Sequence, residues 1–345
     1  MKRDYFAARR GKIFLAALFL LLPLPASLVY ISHGLITIPF GEVLRILASG
    51  FVSAETATTQ ELVIWLIRLP RVCAGTLVGA GLAITGAAYQ GIFRNRLADP
   101  YMTGVSAGAT LGCTIAILLG FDSSVFGLGG ITLFSFCGAL VTSLLIFTFI
   151  AASRRVSHTA ILLTGISINL FLSGLVSLLM FLNRDKIETI VLWTMGSLSG
   201  LNWQKILFAL PLLCAGLTGL FFCARPLDYL VLGSDIARVH GIAVKRSTFL
   251  IILFSSLVTS VCVSLSGIVG FVGLLIPNIV RLLFGSRSGL VFAFSCGLGA
   301  LFLQLADFLA RTLLSPAELP LGILTSIIGV PFFIFLVLKK TEQSA

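Results

Sequence analysis

Charge is what this chain has least of: 11% of its 345 residues are Asp, Glu, Lys or Arg, where a soluble domain carries about a quarter. A soluble globular fold is excluded. Histidines number three and never form His-Glu-x-x-His. The seven cysteines (Cys73, Cys113, Cys137, Cys214, Cys223, Cys262, Cys296) lie in apolar stretches without a Cys-x-x-Cys pair. That pattern supports neither a metal site nor a disulfide framework, and reads as small apolar filling. No GxxxxGK[ST] and no GxGxxG after a strand is present, so the chain holds no nucleotide phosphate by either device. ATP-driven work falls to a partner. An enzyme needs converging titratable groups, and the embedded inventory is almost empty.

What the chain has is apolar length. At 58% apolar and about 20 residues per crossing, it holds material for roughly ten spans. Apolar runs fall at 13–31, 70–92, 101–120, 129–151, 160–182, 206–223, 248–265, 268–284, 289–309 and 320–338. The first follows a basic segment but is too long for a signal-peptide core, so it reads as an uncleaved span kinked at Pro23 and Pro25. The stretch 33–67, with Glu42, Arg45, Glu55 and Glu61, is expected outside the hydrocarbon. One transmembrane domain, 1–345, follows.

The formal charge of +11 would suggest nucleic acid in a soluble chain. Here the cations sit in the breaks between apolar runs. With the amino terminus cytoplasmic, 17 Lys and Arg fall inside and 7 outside (Arg45, Arg68, Arg71, Arg184, Lys186, Lys205, Arg311). The positive-inside rule selects this orientation, with both termini cytoplasmic, and nucleic-acid binding is set aside.

Small residues recur at helical spacing. Gly75 and Gly79 form one GxxxG, and Gly104, Gly108 and Gly112 form two more, the spacing of close helix packing. On span five, Gly165, Asn169, Ser173 and Ser177 follow each other at four-residue steps along one drifting face. On span ten, Gly322, Ser326 and Gly329 repeat the idea beside Thr325. Either face can pack on a neighbour or line a wet path. Asp307 and Arg311 are spaced for a local ion pair. With Arg68 and Arg71, Arg311 makes three cations on the outer side. The 225–246 break is apolar at Leu230, Leu232, Ile236 and Val239, a pattern for short amphipathic helices pressed on a protein surface.

The block RLPRVCAGTLVGAGLAITGAAYQGIFRNRLADPYMTGVSAGATLG at 68–112 resembles the signature of the FecCD-type permeases, membrane subunits of ATP-binding-cassette (ABC) importers. WTMGSLSG at 193–200, SGIVGFVGLLIP at 266–277, LADFLAR at 305–311 and ELPLGILTSIIGVPFF at 318–333 extend the match in order and spacing.

The resemblance implies an all-α integral membrane protein of about ten spans with type II ABC importer architecture, in the bacterial inner membrane. It implies no enzyme activity and no cofactor of the chain's own, with ATP and Mg used by two ATP-binding subunits. The further partners are a second copy of the chain, an extracytoplasmic substrate-binding protein and membrane lipid. It assigns Arg68, Arg71 and Arg311 to docking of the binding protein. ATPase coupling goes to the 225–246 segment through Leu230, Leu232, Gly233, Ile236, Ala237, Val239 and Gly241. The path goes to Gly165, Asn169, Ser173, Ser177, Gly322 and Ser326, and a cytoplasmic gate to Asn95 and Leu97.

Two positions depart from the family pattern: Arg96 replaces a proline after Asn95, and Asn278 replaces a histidine common after Pro277. The implied cargo is a bulky metal chelate, a ferric siderophore or haem, with cobalamin as the alternative. An ion-driven transporter would instead need coupling carboxylates deep in its spans, and Asp307 lies near a span end.

Overall fold

Helices account for all regular structure in the computed structural model, which describes residues 18–34, 36–50, 57–121, 129–152 and 158–342. Glu55 and the basic residues Lys2, Arg3, Arg9, Arg10, Lys12, Arg154 and Arg155 lie outside the described residues. Lys339 and Lys340 are described as helix backbone alone.

Among the described residues, six helices are long and apolar enough to cross a bilayer: α3 (Thr59–Ile92), α5 (Gly130–Ala152), α6 (His158–Leu182), α8 (Trp203–Leu232), α10 (Val244–Ser266) and α12 (Ser288–Thr312). Four other apolar helices, α1 (Leu18–Ser32), α4 (Val105–Leu118), α11 (Val272–Phe284) and α13 (Leu321–Glu342), stand where the remaining runs were expected. Among the described residues there are also three short α-helices: α2 (Phe40–Ser49), α7 (Ile187–Thr194) and α9 (Ser234–Val239).

At 14 and 13 residues, α4 and α11 reach only about 20 Å at 1.5 Å per residue, short of a ~30 Å core. Each is preceded by a non-helical approach whose backbone the protein itself must satisfy. Before α4, a single 3₁₀ turn at Pro100–Thr103 ends on Gly104 at φ +73°. Before α11, the segment 267–271 ends on Phe271 at φ +68°. Tyr101 joins the two approaches: its hydroxyl donates to Val269 O (3.0 Å) and accepts from Val269 N (3.2 Å).

The 33–67 stretch is more ordered than its mixed polarity suggested. Val43 and Ile46 of α2 are buried with Tyr30, Ile31, Ile38, Ile64 and Val72 in a small outer core. Helix α3 starts at Thr59, eleven residues before the expected span. The start is a capping box: Thr58 Oγ1 accepts from Glu61 N, and the Glu61 carboxylate accepts from Thr58 N. Read as loop polarity, Thr58-x-x-Glu61 was the signal for a helix.

Residues 63–68 of α3 then take a π register. In that register the Trp65 carbonyl would accept from residue 70, but Pro70 has no N–H. The Trp203 indole at the start of α8 donates to that carbonyl at 2.7 Å. The same device recurs on α11, where Pro277 leaves the Gly273 carbonyl without its helical donor. Gln90 Nε2, from α3, supplies it at 3.1 Å.

Helix α3 runs through the middle of the bundle against α12, α10, α8 and α11. The approach is backbone to backbone: a Cβ on Gly79 would overlap Gly299 O, and one on Gly299 would overlap Gly79 O. Gly108 and Gly112 do the same against α5 at Gly138 and Phe134. Gly104 departs from the expected three-glycine face, because its left-handed φ makes it the cap of α4.

Gly79→Val should therefore lower the melting temperature of the detergent-solubilised protein, with a cost of about 3 kcal/mol or more as overpacked backbone separates. Gly174→Ala, which meets nothing within 4 Å, should stay within about 0.5 kcal/mol. Circular dichroism melts compare the two.

Candidate functional sites at the two ends of the bundle

The three arginines expected on the outer side do come together, yet two of them point inward. Arg71 is 8% exposed. Its Nε lies 3.0 Å from both Asp307 oxygens, and its Nη2 is 2.9 Å from Oδ1. Its far edge meets Glu318, Nη1 to Oε1 at 2.8 Å and Nη2 to Oε2 at 3.0 Å. One guanidinium fork thus joins α3, α12 and the loop entering α13.

This corrects the local Asp307–Arg311 pair. Asp307 finds its partner on another helix, where Arg71 offers two parallel donors, while Arg311 turns to Tyr30 O. Arg68 donates to Ile31 O at 2.5 Å and also to Ile36 O, closing the turn after α1. Arg311 donates to Tyr30 O at 2.5 Å and lies over the Phe308 ring, 5.6 Å from its centroid.

Glu318 is the member of this cluster that the sequence reading passed over. Its visible signal was an acid placed directly before an apolar span in a chain with 13 acids. The Arg71 hydrogen bonds hold its carboxyl below the usual glutamate range.

At the opposite end, residues 93–99 connect α3 to the 3₁₀ turn. Asn95 Oδ1 accepts from Leu97 N at 2.9 Å, and Asn95 O accepts from Ala98 N at 3.0 Å. This tight turn leaves Leu97 46% exposed. Asp99 caps the 3₁₀ turn by accepting from Tyr101 N at 2.8 Å, and burial pushes its carboxyl up to about 6. The two positions that depart from the family pattern touch: Asn278 Nδ2 donates to Arg96 O at 3.1 Å, and to Leu274 O at 2.8 Å. Arg281 donates to Gln90 Oε1 and to Ala87 O, so loop, α3 and α11 share one polar network.

Beside this loop lies the 225–246 segment. Gly233 (φ +147°) and Gly241 (φ +74°) bracket α9. The expected apolar set divides. Leu230 and Ala237 are buried and hold α9 on the bundle, while Leu232, Ile236 and Val239 face out, Val239 at 85% exposure.

The polar row on α6 turns as it climbs. Gly165 packs against the Met102 carbonyl and Asn169 is half-buried beside Gly104. Ser173 and Ser177 are exposed, with Ser177 Oγ donating to Ser173 O at 2.9 Å. On α13, Gly322 N donates to Met195 O at 2.8 Å, Gly329 lies against the Phe271 ring, and Ser326 is half-exposed.

Asp307→Asn should destabilise the fold by about 3–5 kcal/mol, because Arg71 is then buried beside one carboxylate in place of two. Glu318→Gln, at a partly exposed site, should cost far less. The Glu318 carboxyl is depressed in the folded state. Its contribution is present above the unfolded pKa and lost as pH falls through the folded one. Glu318→Gln should flatten the acid limb of the melting-temperature profile, which differential scanning fluorimetry measures.

With the geometry in place, comparison with known proteins is direct. The FecCD transport family matches residues 19–339. The cobalamin import permease of Halobacterium salinarum is 35% identical over 332 residues, 94% of this chain and 87% of that protein. The hemin transport permease of Yersinia pestis is 37% identical, over 81% of this chain and 84% of that one. A solved structure, described as an inward-facing conformation of an ABC transporter of metal-chelate type, superposes with TM-score 0.79 at 32% identity, covering 94% of this chain and 98% of the other. A bundle of ten apolar helices with close glycine crossings, matched along almost its whole length, is a membrane permease, and the chain belongs to the FecCD transport family.

Proposed function

We propose that two copies of this chain assemble with two separate ATPases to form an importer. The importer takes a bulky metal chelate from an extracytoplasmic binding protein across the inner membrane, with both permease termini cytoplasmic. The observation that carries this reading is α9: a short helix between two glycine pivots that shows Ile236 and Val239 outward beside Leu232 at the end of α8. The chain has no phosphate-binding motif of its own. Those side chains fit the cleft of an ATP-hydrolysing subunit, whose closure on ATP and Mg would move α9 and rock the bundle between two states.

Arg68, Arg71 and Arg311 mark the docking side. Their three charges are offset by Asp307 and Glu318, so the cluster carries a formal +1. Arg311 and the half-exposed Glu318 are its reachable members. Acidic groups on a binding protein would be steered there more than held. Asn169, Ser173, Ser177 and Ser326, with the packed Gly165 and Gly322, supply the small, weakly polar surface of the path, completed by the second copy. Asn95 and Leu97 close its cytoplasmic end. A chelate of iron, as a ferric siderophore or haem, is the preferred cargo, and cobalamin is second. The relatives that import hemin and cobalamin support both. An ion-driven mechanism finds no free carboxylate in Asp307, which is committed to Arg71.

Ile236→Asp with Val239→Asp should weaken capture of the ATPase by at least about tenfold, ~1.4 kcal/mol, while the permease melts as before. Pull-down and light scattering of the purified assembly provide the check. An unchanged complex would remove α9 from the coupling role. Calorimetry of the partner binding protein with haemin, a ferric hydroxamate and cyanocobalamin then separates the cargoes.

A further inference from the structure

Arg94 occupies a position where its own backbone is out of place. Helix α3 ends in a Schellman turn: Arg94 N donates to Gly91 O at 3.2 Å and Asn95 N to Gln90 O at 3.2 Å. That turn puts Arg94 at φ 49°, the left-handed conformation that glycine normally fills. Its side chain explains the choice. Arg94 Nε donates to Leu230 O at 3.0 Å, and Leu230 lies in the last turn of α8, directly before α9. In that turn Tyr229 O keeps its donor in Gly233 N, while the last carbonyls of a helix run out of donors, and a cation beside them complements the helix dipole.

The loop is also tied on its other flank, through Asn278 to Arg96 O and through Tyr101 to Val269. The α11–α12 corner returns to the same place, since Ser288 N donates to Asp228 Oδ1 of α8 at 2.7 Å.

We propose that Arg94 is the strap that carries movement of the coupling end of α8 into the loop holding Asn95 and Leu97. The inference rests on the permease reading above and adds a positioning residue to it. The role asks of Arg94 no contact with cargo or ATPase. It acts by making the end of α8 and the loop move as one, and a residue without the guanidinium leaves the loop held by α11 alone.

The decisive variant is Arg94→Gly, which suits the left-handed turn better than arginine and removes only the strap. Arg94→Asn also tolerates the turn and is too short to reach Leu230 O. In the reconstituted assembly of permease and ATPase, Leu97→Cys is introduced and its thiol labelled with a polar maleimide, with and without Mg-ATP and vanadate. Peptide-resolved mass spectrometry reads its rate. The unsubstituted Arg94 protein should change its rate at residue 97 by at least about fivefold on nucleotide trapping, the lower end of ordinary coupling. Both strap variants should lose most of that change while melting temperature and ATP hydrolysis hold.

A full nucleotide response in Arg94→Gly or Arg94→Asn overturns the strap and leaves the permease reading standing. No response in the Arg94 protein itself overturns the gate on which the strap depends. Loss of cargo uptake by the whole Arg94 assembly, measured separately in vesicles, would count against the importer reading alone.

Discussion

A main-chain carbonyl without a donor costs several kcal/mol in hydrocarbon, and this bundle is organised around the places where its helices leave one behind. Pro70 and Pro277 each cancel a helical hydrogen bond inside an apolar helix, and each vacancy is filled from elsewhere, by the Trp203 indole and the Gln90 amide. Where α1 and α8 stop, arginines reach the exposed carbonyls: Arg68 at Ile31 and Ile36, Arg311 at Tyr30, Arg94 at Leu230. In a chain this poor in charge, Arg68, Arg94, Arg281 and Arg311 all donate to main-chain carbonyls. Each of those bonds joins segments far apart in sequence.

The second constraint is distance. Side chains of ordinary size would keep helix axes too far apart for one amide to span them. Glycine removes that limit at Gly79–Gly299, Gly108–Gly138 and Gly86–Gly273. Gly86 lies one helical turn before Gln90 and meets the same Gly273 whose carbonyl Gln90 satisfies. Without the close crossing, the amide could not reach. Packing and polar satisfaction are two aspects of one contact there, and in lipid, where helices gain nothing from hiding apolar surface, such contacts carry association.

Much of this was legible in the sequence. Apolar run length located the ten helices, because hydrophobic thickness fixes how much chain a crossing needs. Glycine spacing located two close crossings, since Gly108 and Gly112 meet α5 as their register implies. The failures have a common cause: local spacing says nothing about what another helix brings. Asp307 was matched with Arg311 four residues away, although Arg71 across the interface offers a better fork. Leu230 belonged by pattern with Leu232, Ile236 and Val239, but it lies in the last turn of α8 and is buried there, while the other three face out. The beginning of α3 was hidden because Thr58 and Glu61 have the polarity of a loop and the spacing of a cap.

The shared fork of Arg71 has a mechanical corollary. It joins α3, α12 and the entrance to α13 by opposite charges, while the ties at the other end are mostly amide and carbonyl dipoles around Asn278, Gln90 and Tyr101, with the guanidiniums of Arg94 and Arg281 donating to neutral oxygens. Breaking the first means stripping ions from each other; exchanging the second means trading one neutral partner for another. The bundle is therefore stiff at one pole and compliant at the other, and deformation imposed anywhere along it collects at the soft pole.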